Sequence, residues 1–129
     1  MSDKKVVRTE TAPAPFQGAP YSQAIAAGGF VFVSGQLGLK PGDITISGGI
    51  EEQTEQIFSN LEAIFEEAGS GLDRLVKTTV FLQHLDDFQA MNAVYAKHVG
   101  EQPPARATVE VAKLPSGALV EIEAVALAS

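Results

Sequence analysis

The stretch Ala105-Arg106-Ala107-Thr108-Val109-Glu110-Val111-Ala112, followed after a Leu114-Pro115-Ser116-Gly117-Ala118 break by Leu119-Val120-Glu121-Ile122-Glu123-Ala124-Val125-Ala126-Leu127, decides the fold. Both segments alternate with period two, as strands with two unlike faces do. In the second, Val120, Ile122, Ala124 and Ala126 belong beneath helices, while Glu121, Glu123, Val125 and Leu127 point the other way. In the first, Ala107, Val109 and Val111 share one face, and Arg106, Thr108 and Glu110 share the other. Assigning the apolar side of each strand to the core sets Arg106 and Glu121 on the same, helix-free face, whichever strands they pair with.

Upstream, Asp86 or Asp87 reads as an N-cap for a helix with Phe88, Met91, Val94, Tyr95 and Val99 on its apolar face and Gly100 at its end. Val76–Leu82 is rich in β-branched residues and reads as a strand. Before it, Ile57, Phe58, Leu61, Ile64, Phe65 and Ala68 fall at helical spacing, and Gly69 stands at a left-handed C′ position. Ser22–Ala27 and Phe30–Ser34 read as strands joined by Gly28-Gly29, a strong two-residue hairpin signal. The nearly continuous apolar run Phe30-Val31-Phe32-Val33 suits a strand covered on both faces. The order is β-β-α-β-α-β-β, with a further short strand at Val6-Val7, after which Thr9–Pro20 reads as a proline-rich extended loop.

Right-handed crossovers set both helices on one side of a single sheet, so nothing within the chain covers the face bearing Val125, Leu127 and Phe81. A second copy is the economical cover, so the chain is expected to form a homo-oligomer with pockets at subunit boundaries. A gel-filtration profile of a 13–14 kDa monomer at micromolar concentration would remove this expectation.

The 129 residues suit a single domain, and 45% hydrophobic and 19% charged residues are ordinary for a globular one. The absence of cysteine excludes disulfides, thiol nucleophiles and Cys-ligated metal centres. A net charge of −7, from 9 basic against 16 acidic residues, argues against a phosphate-binding surface, so no nucleic-acid partner is expected. No apolar run approaches membrane-spanning length and no secretory leader is evident, so the expected setting is soluble and cytoplasmic, without membrane partners.

His84 and His98 lack metal-site spacing, and the glycines of Ser34-Gly35-Gln36-Leu37-Gly38 match neither a Walker loop nor a dinucleotide fingerprint. Ser34 has no histidine in register to activate it. Arg106 needs a carboxylate partner: either Glu110, Glu121 or Glu123 within the chain, or a bound substrate that its planar fork grips in bidentate fashion. Glu121 and Glu123 are either solvated or arginine-paired residues, or a pocket glutamate that orients water. Tyr21 is either a packing residue or a cover over a pocket.

Taken in order, Ala19-Pro20-Tyr21-Ser22-Gln23-Ala24, Val33-Ser34-Gly35-Gln36-Leu37-Gly38, Val76–Leu82, Asp87-Phe88 with Asn92 and Tyr95, Pro104-Ala105-Arg106 and Val120–Ala126 carry a further reading. Their set and spacing resemble the Rid family, also called YjgF-like, over nearly the whole chain from about Thr11. The resemblance implies a single Rid-like domain over residues 1–129 with a chorismate-mutase-like α/β (α+β) fold: one mixed six-stranded sheet, two helices on one face, and a homotrimer with sheets facing inward and clefts between subunits. It also implies that the last strand inserts elsewhere in the sheet, although Ser116-Gly117 alone suggests a hairpin.

Archetypal members of the family that this chain resembles hydrolyse reactive 2-imino acids, the enamine/imine products of pyridoxal-phosphate dehydratases, to 2-keto acids and ammonia. By that resemblance Arg106 binds the substrate carboxylate and Glu121 positions the attacking water. The backbone at Gly35 and Thr108 helps hold the ligand, and Tyr21, Ser34, Phe88 and Asn92 line the cleft, some from a neighbouring chain. No cofactor or metal is implied. Thr108 stands where many members have cysteine, and Ala19 where the common motif has glycine.

Overall fold

The computed structural model describes residues 3–129. Strands β1 (Lys5–Val7), β2 (Ala24–Ala27), β3 (Phe30–Leu37), β4 (Leu75–Leu82), β5 (Ala105–Glu110) and β6 (Val120–Leu127) form one sheet in the order β1-β2-β3-β6-β4-β5. All neighbours are antiparallel except β4 and β5, which run parallel through the second helix. Thus β6 lies between β3 and β4 and makes no hairpin with β5, as the resemblance implied.

The hairpin of β2 and β3 turns on Gly28 (φ 59°) and Gly29 (φ 87°), the positive values that a tight primed turn demands. Helix α1 (Ile50–Glu67) starts with the Glu52 carboxylate accepting the Gly49 N–H and stops before Gly69 at φ 80°. Its Ile57, Phe58, Leu61, Ile64 and Phe65 are fully buried against Val31, Val80 and Ile122 of the sheet. The buried Asn60 amide donates to the Leu37 and Leu39 carbonyls, fixing α1 to the end of β3.

Helix α2 (Phe88–Val99) buries Met91, Val94 and Tyr95 on the same side of the sheet. Asp87 stands at its N-cap, but its side chain caps nothing; a 3-10 turn at Leu85–Asp87 leads in, and the Glu110 carboxylate accepts the Leu85 N–H. Asp87 thus holds the expected N-cap position without the expected side-chain bond.

The opposite face of the sheet is open. Phe30 and Phe32 share it with Val125 and Leu127 through paired register, and Phe32 is 46% exposed while Val31 and Val33 are buried. Within one chain, then, the Phe30–Val33 run has one covered face and not two. A smaller cluster of Leu37, Leu39, Leu114 and Ala118, with Phe81 and Val111 packed against it, covers one end of that face.

Candidate functional site

Paired register decides where Arg106 points. Arg106 stands opposite Thr78 and Thr108 opposite Val80, and cross-strand partners project to the same side. Thr78 and Val80 are fully buried, and the Thr78 hydroxyl bonds the Tyr95 hydroxyl on α2 at 2.6 Å. Arg106 therefore faces the helices. Glu121 pairs with Phe81 and Leu37 between the buried Val120 and Ile122, so it faces the open side. The two residues lie on opposite faces of the sheet, against the expectation that they share one.

The cause lies in β5. It is an edge strand, and the open face is itself apolar, so Ala107 and Val109 join Phe81 there and Val109 stays 44% exposed. Apolar alternation on such a strand marks the open face and not the core.

On the helix side, Phe88, Asn92 and Tyr95 form one stripe of α2 at helical spacing. The Arg106 Nη1 donates to Asn92 Oδ1 at 2.8 Å, and its guanidinium carbon lies 4.7 Å from the centre of the Tyr95 ring and 5.5 Å from that of Phe88. Glu110 is bonded to the Leu85 N–H, and among the described residues no carboxylate lies within ion-pair range of Arg106. All three intramolecular acid partners weighed from sequence are thus excluded. The guanidinium is half-buried and oriented by neutral groups, with its charge unspent. Beside it, the Thr108 hydroxyl is buried without a hydrogen-bond partner.

On the open side a cleft of about 640 Å³ is lined by Tyr21, Ser34, Gly35, Pro115, Glu121 and Glu123, among others. The Tyr21 hydroxyl accepts the Phe16 N–H at 2.6 Å, which ties the ring to the turn at Phe16–Gly18, where Gln17 adopts a left-handed φ of 54°. The Ser34 hydroxyl donates to the Ser22 carbonyl at 2.6 Å, a structural bond from β3 to the segment leading into β2 and not an activated nucleophile. Burial pushes the Glu121 carboxyl above its ordinary range, and the charge of Glu123 pushes it the same way.

Of the residues singled out from sequence, the fold therefore gathers Arg106, Asn92, Phe88 and Thr108 on one side and Glu121, Gly35, Ser34 and Tyr21 on the other. From sequence Tyr95 reads as a core residue and as part of the family resemblance, with no role given at the site; its position three after Asn92 and seven after Phe88 is the signal that joins it to Arg106. Among the described residues no group of three or more His, Cys, Asp or Glu is placed to hold a metal ion. No helix is long and apolar enough to cross a membrane among them.

A mixed sheet layered with two helices, an arginine without an acidic partner on one face and a cleft around a half-buried glutamate on the other define a small α+β domain. The family model described as endoribonuclease L-PSP matches residues 9–128. A RutC family protein of Pyrococcus abyssi is 50% identical over 95% of this chain and 96% of its own length. The chloroplastic Reactive Intermediate Deaminase A of Arabidopsis thaliana is 46% identical over 95% of this chain and 65% of its own length. The crystal structure of Escherichia coli TdcF with bound serine superposes with a TM-score of 0.88 at 35% identity, covering 97% of this chain and 99% of that one. The chain belongs to this family, the Rid or RutC proteins.

Proposed function

We propose that this chain hydrolyses 2-iminobutanoate and 2-iminopropanoate to the corresponding 2-keto acids and ammonia. The observation that carries this reading is the Arg106 guanidinium, held by Asn92, Tyr95 and Phe88 with no carboxylate beside it. A charge oriented and left unpaired in this way favours a bound carboxylate, and a planar fork grips one through two parallel hydrogen bonds. The named deaminase among the relatives, and a relative that binds an amino acid, support the same substrate class.

Water adds to C2 of the protonated imine, and the Glu121 carboxylate takes the proton it sheds. Glu121 returns that proton to the amine nitrogen of the resulting carbinolamine, the C–N bond breaks as the C=O bond forms, and the hydroxyl proton passes back to Glu121 and leaves with the ammonia as ammonium. An iminium carbon is already electrophilic, so orientation and modest acid–base assistance suffice and no cofactor enters. The raised Glu121 carboxyl suits a group that both takes and returns a proton. Backbone at Gly35 and Thr108 would hold the ligand, and Tyr21, Ser34, Phe88 and Asn92 would line the cleft.

Arg106 and Glu121 are on opposite faces of one sheet, so this reading requires two chains at each site. The open apolar face, with Val6, Phe30, Phe32, Val109 and Leu127 all more than a third exposed, favours a second copy as its cover. A homotrimer with sheets inward would set the Arg106 cluster of one subunit against the Glu121 cleft of the next. The setting in this reading is the cytoplasm, where pyridoxal-phosphate dehydratases release such imines. The endoribonuclease description of the family is not carried over, because a charge of −7 disfavours RNA and no histidine pair stands at the cleft.

The test is 2-keto acid formation from 2-iminobutanoate generated in situ, with semicarbazide trapping free imine. Wild type is expected to outcompete the trap and Arg106→Ala to fail. If neither competes, the deaminase reading falls; if wild type binds 2-oxobutanoate without accelerating hydrolysis, a non-catalytic carboxylate-binding module replaces it.

A further inference from the structure

The Tyr95 ring is held from several sides. Its hydroxyl is bonded to the fully buried Thr78, directly across the β4–β5 ladder from Arg106. Its edge meets the buried Phe58 ring at 5.4 Å and an interplanar angle of 81°. Phe58 in turn stacks on His98 at 4.6 Å, and His98 is bonded to Glu55, which also pairs with Lys97. The ring therefore lacks the freedom to turn, and its face lies 4.7 Å from the Arg106 guanidinium carbon.

We propose that Tyr95 is a positioning residue for the Arg106 carboxylate clamp, its ring the floor on which the guanidinium lies. An arginine side chain loses much rotational freedom on being fixed, and a preset floor removes that loss from the binding step. The negative face of the ring offsets the dehydration of a cation that no acid neutralises. Asn92 sets the guanidinium in its plane, while Tyr95 sets its height above the helix. A hydroxyl bonded into the core and a ring face turned to the substrate side separate two tasks within one residue. The claim rests on the deaminase reading for its substrate, but the contact between Tyr95 and Arg106 stands apart from it.

The experiment compares wild type, Tyr95→Phe, Tyr95→Leu, Arg106→Ala and the Tyr95→Leu/Arg106→Ala double variant. Calorimetric binding of 2-oxobutanoate and imine hydrolysis in competition with semicarbazide are the two readouts. Tyr95→Phe keeps the ring and is expected to stay within about 3-fold of wild type; Tyr95→Leu is expected to raise Kd and KM about 10-fold with little change in kcat. With Arg106 already removed, Tyr95→Leu should cost nothing further; additive losses would overturn the proposal.

Because Tyr95 is buried, leucine can cost the fold. In that event 3,4,5-trifluorophenylalanine at position 95 keeps the shape and drains the ring face of electron density. Weaker 2-oxobutanoate binding than in Tyr95→Phe supports the proposal, and equal binding overturns it. If wild type neither binds 2-oxobutanoate nor competes with semicarbazide, the deaminase reading fails by itself. The Arg106 Nε–H resonance then decides the Tyr95 contact: shifted by the ring current in wild type it supports the contact, and unshifted it overturns it.

Discussion

The Glu121 carboxylate occupies the space that a side chain at Gly35 would need: a Cβ there would fall on Oε2 and within 3.0 Å of Cδ. Gly35 has an ordinary φ, so its missing side chain serves this close approach and not a turn. Gly35→Ala is therefore expected to fold but to turn the carboxylate out of the cleft. Its kcat/KM for imine hydrolysis should fall about 10- to 100-fold, as expected when a catalytic group is displaced by about 1 Å. Adding Glu121→Ala should bring little further loss. A Gly35→Ala protein with full activity would remove Glu121 from the chemistry.

The pH dependence of Glu121 has a defined direction. Its carboxyl is raised by burial first and by the Glu123 charge second. The acid limb of kcat/KM, which reports the base of the free enzyme, should therefore lie above the ordinary carboxylate range of about 4.3. Glu123→Gln should move that limb to lower pH while leaving the part due to burial. For stability, a raised folded pKa means a contribution present below the unfolded pKa and lost as pH rises through the folded value. Glu121→Gln should accordingly gain in Tm over wild type at pH 7 while losing activity. Thermal scans at pH 4 and pH 7 check the sign; an equal difference at both would refute the assignment.

Much of this fold was legible because its signals are local. Gly28-Gly29, the spacing of Ile57 to Phe65, and Gly69 and Gly100 each specify backbone within a few residues, and the structure agrees at each. The face of Arg106 was not legible for a physical reason. Alternation reports two unlike faces, but where the open side is also apolar, as at Phe32, Phe81 and Val109, it does not say which side the helices cover. Only the pairing of Arg106 with Thr78, a contact between distant segments, settles it. The candidate site residues were individually visible, whereas the Tyr95 ring beside Arg106 and the placement of Arg106 and Glu121 on opposite faces needed the register.

The buried Thr108 hydroxyl has no partner, and an unpaired buried hydroxyl costs about 1–3 kcal/mol. Thr108→Val removes the hydroxyl at nearly constant shape, so the unliganded protein should gain in Tm. If the hydroxyl meets the substrate beside Arg106, KM should rise by about 3- to 10-fold in the same variant, the cost of one lost hydrogen bond. A gain in Tm with unchanged KM would leave only the Thr108 backbone in contact with the ligand.

Opposite faces for Arg106 and Glu121 lead to a complementation test. If each site takes its arginine cluster from one chain and its glutamate cleft from the next, Arg106→Ala and Glu121→Ala are each impaired alone for different reasons. Unfolding an equal mixture and refolding it together assembles mixed oligomers. An interface then joins an intact arginine side to an intact glutamate side about one time in four under random assembly around a closed ring. With each intact interface working on its own, activity should return to about a quarter of the wild-type value. Sites built within single chains would return none of it, since every chain in the mixture lacks one residue. Mixing the folded variants without unfolding provides the control, and activity there should appear only as fast as subunits exchange.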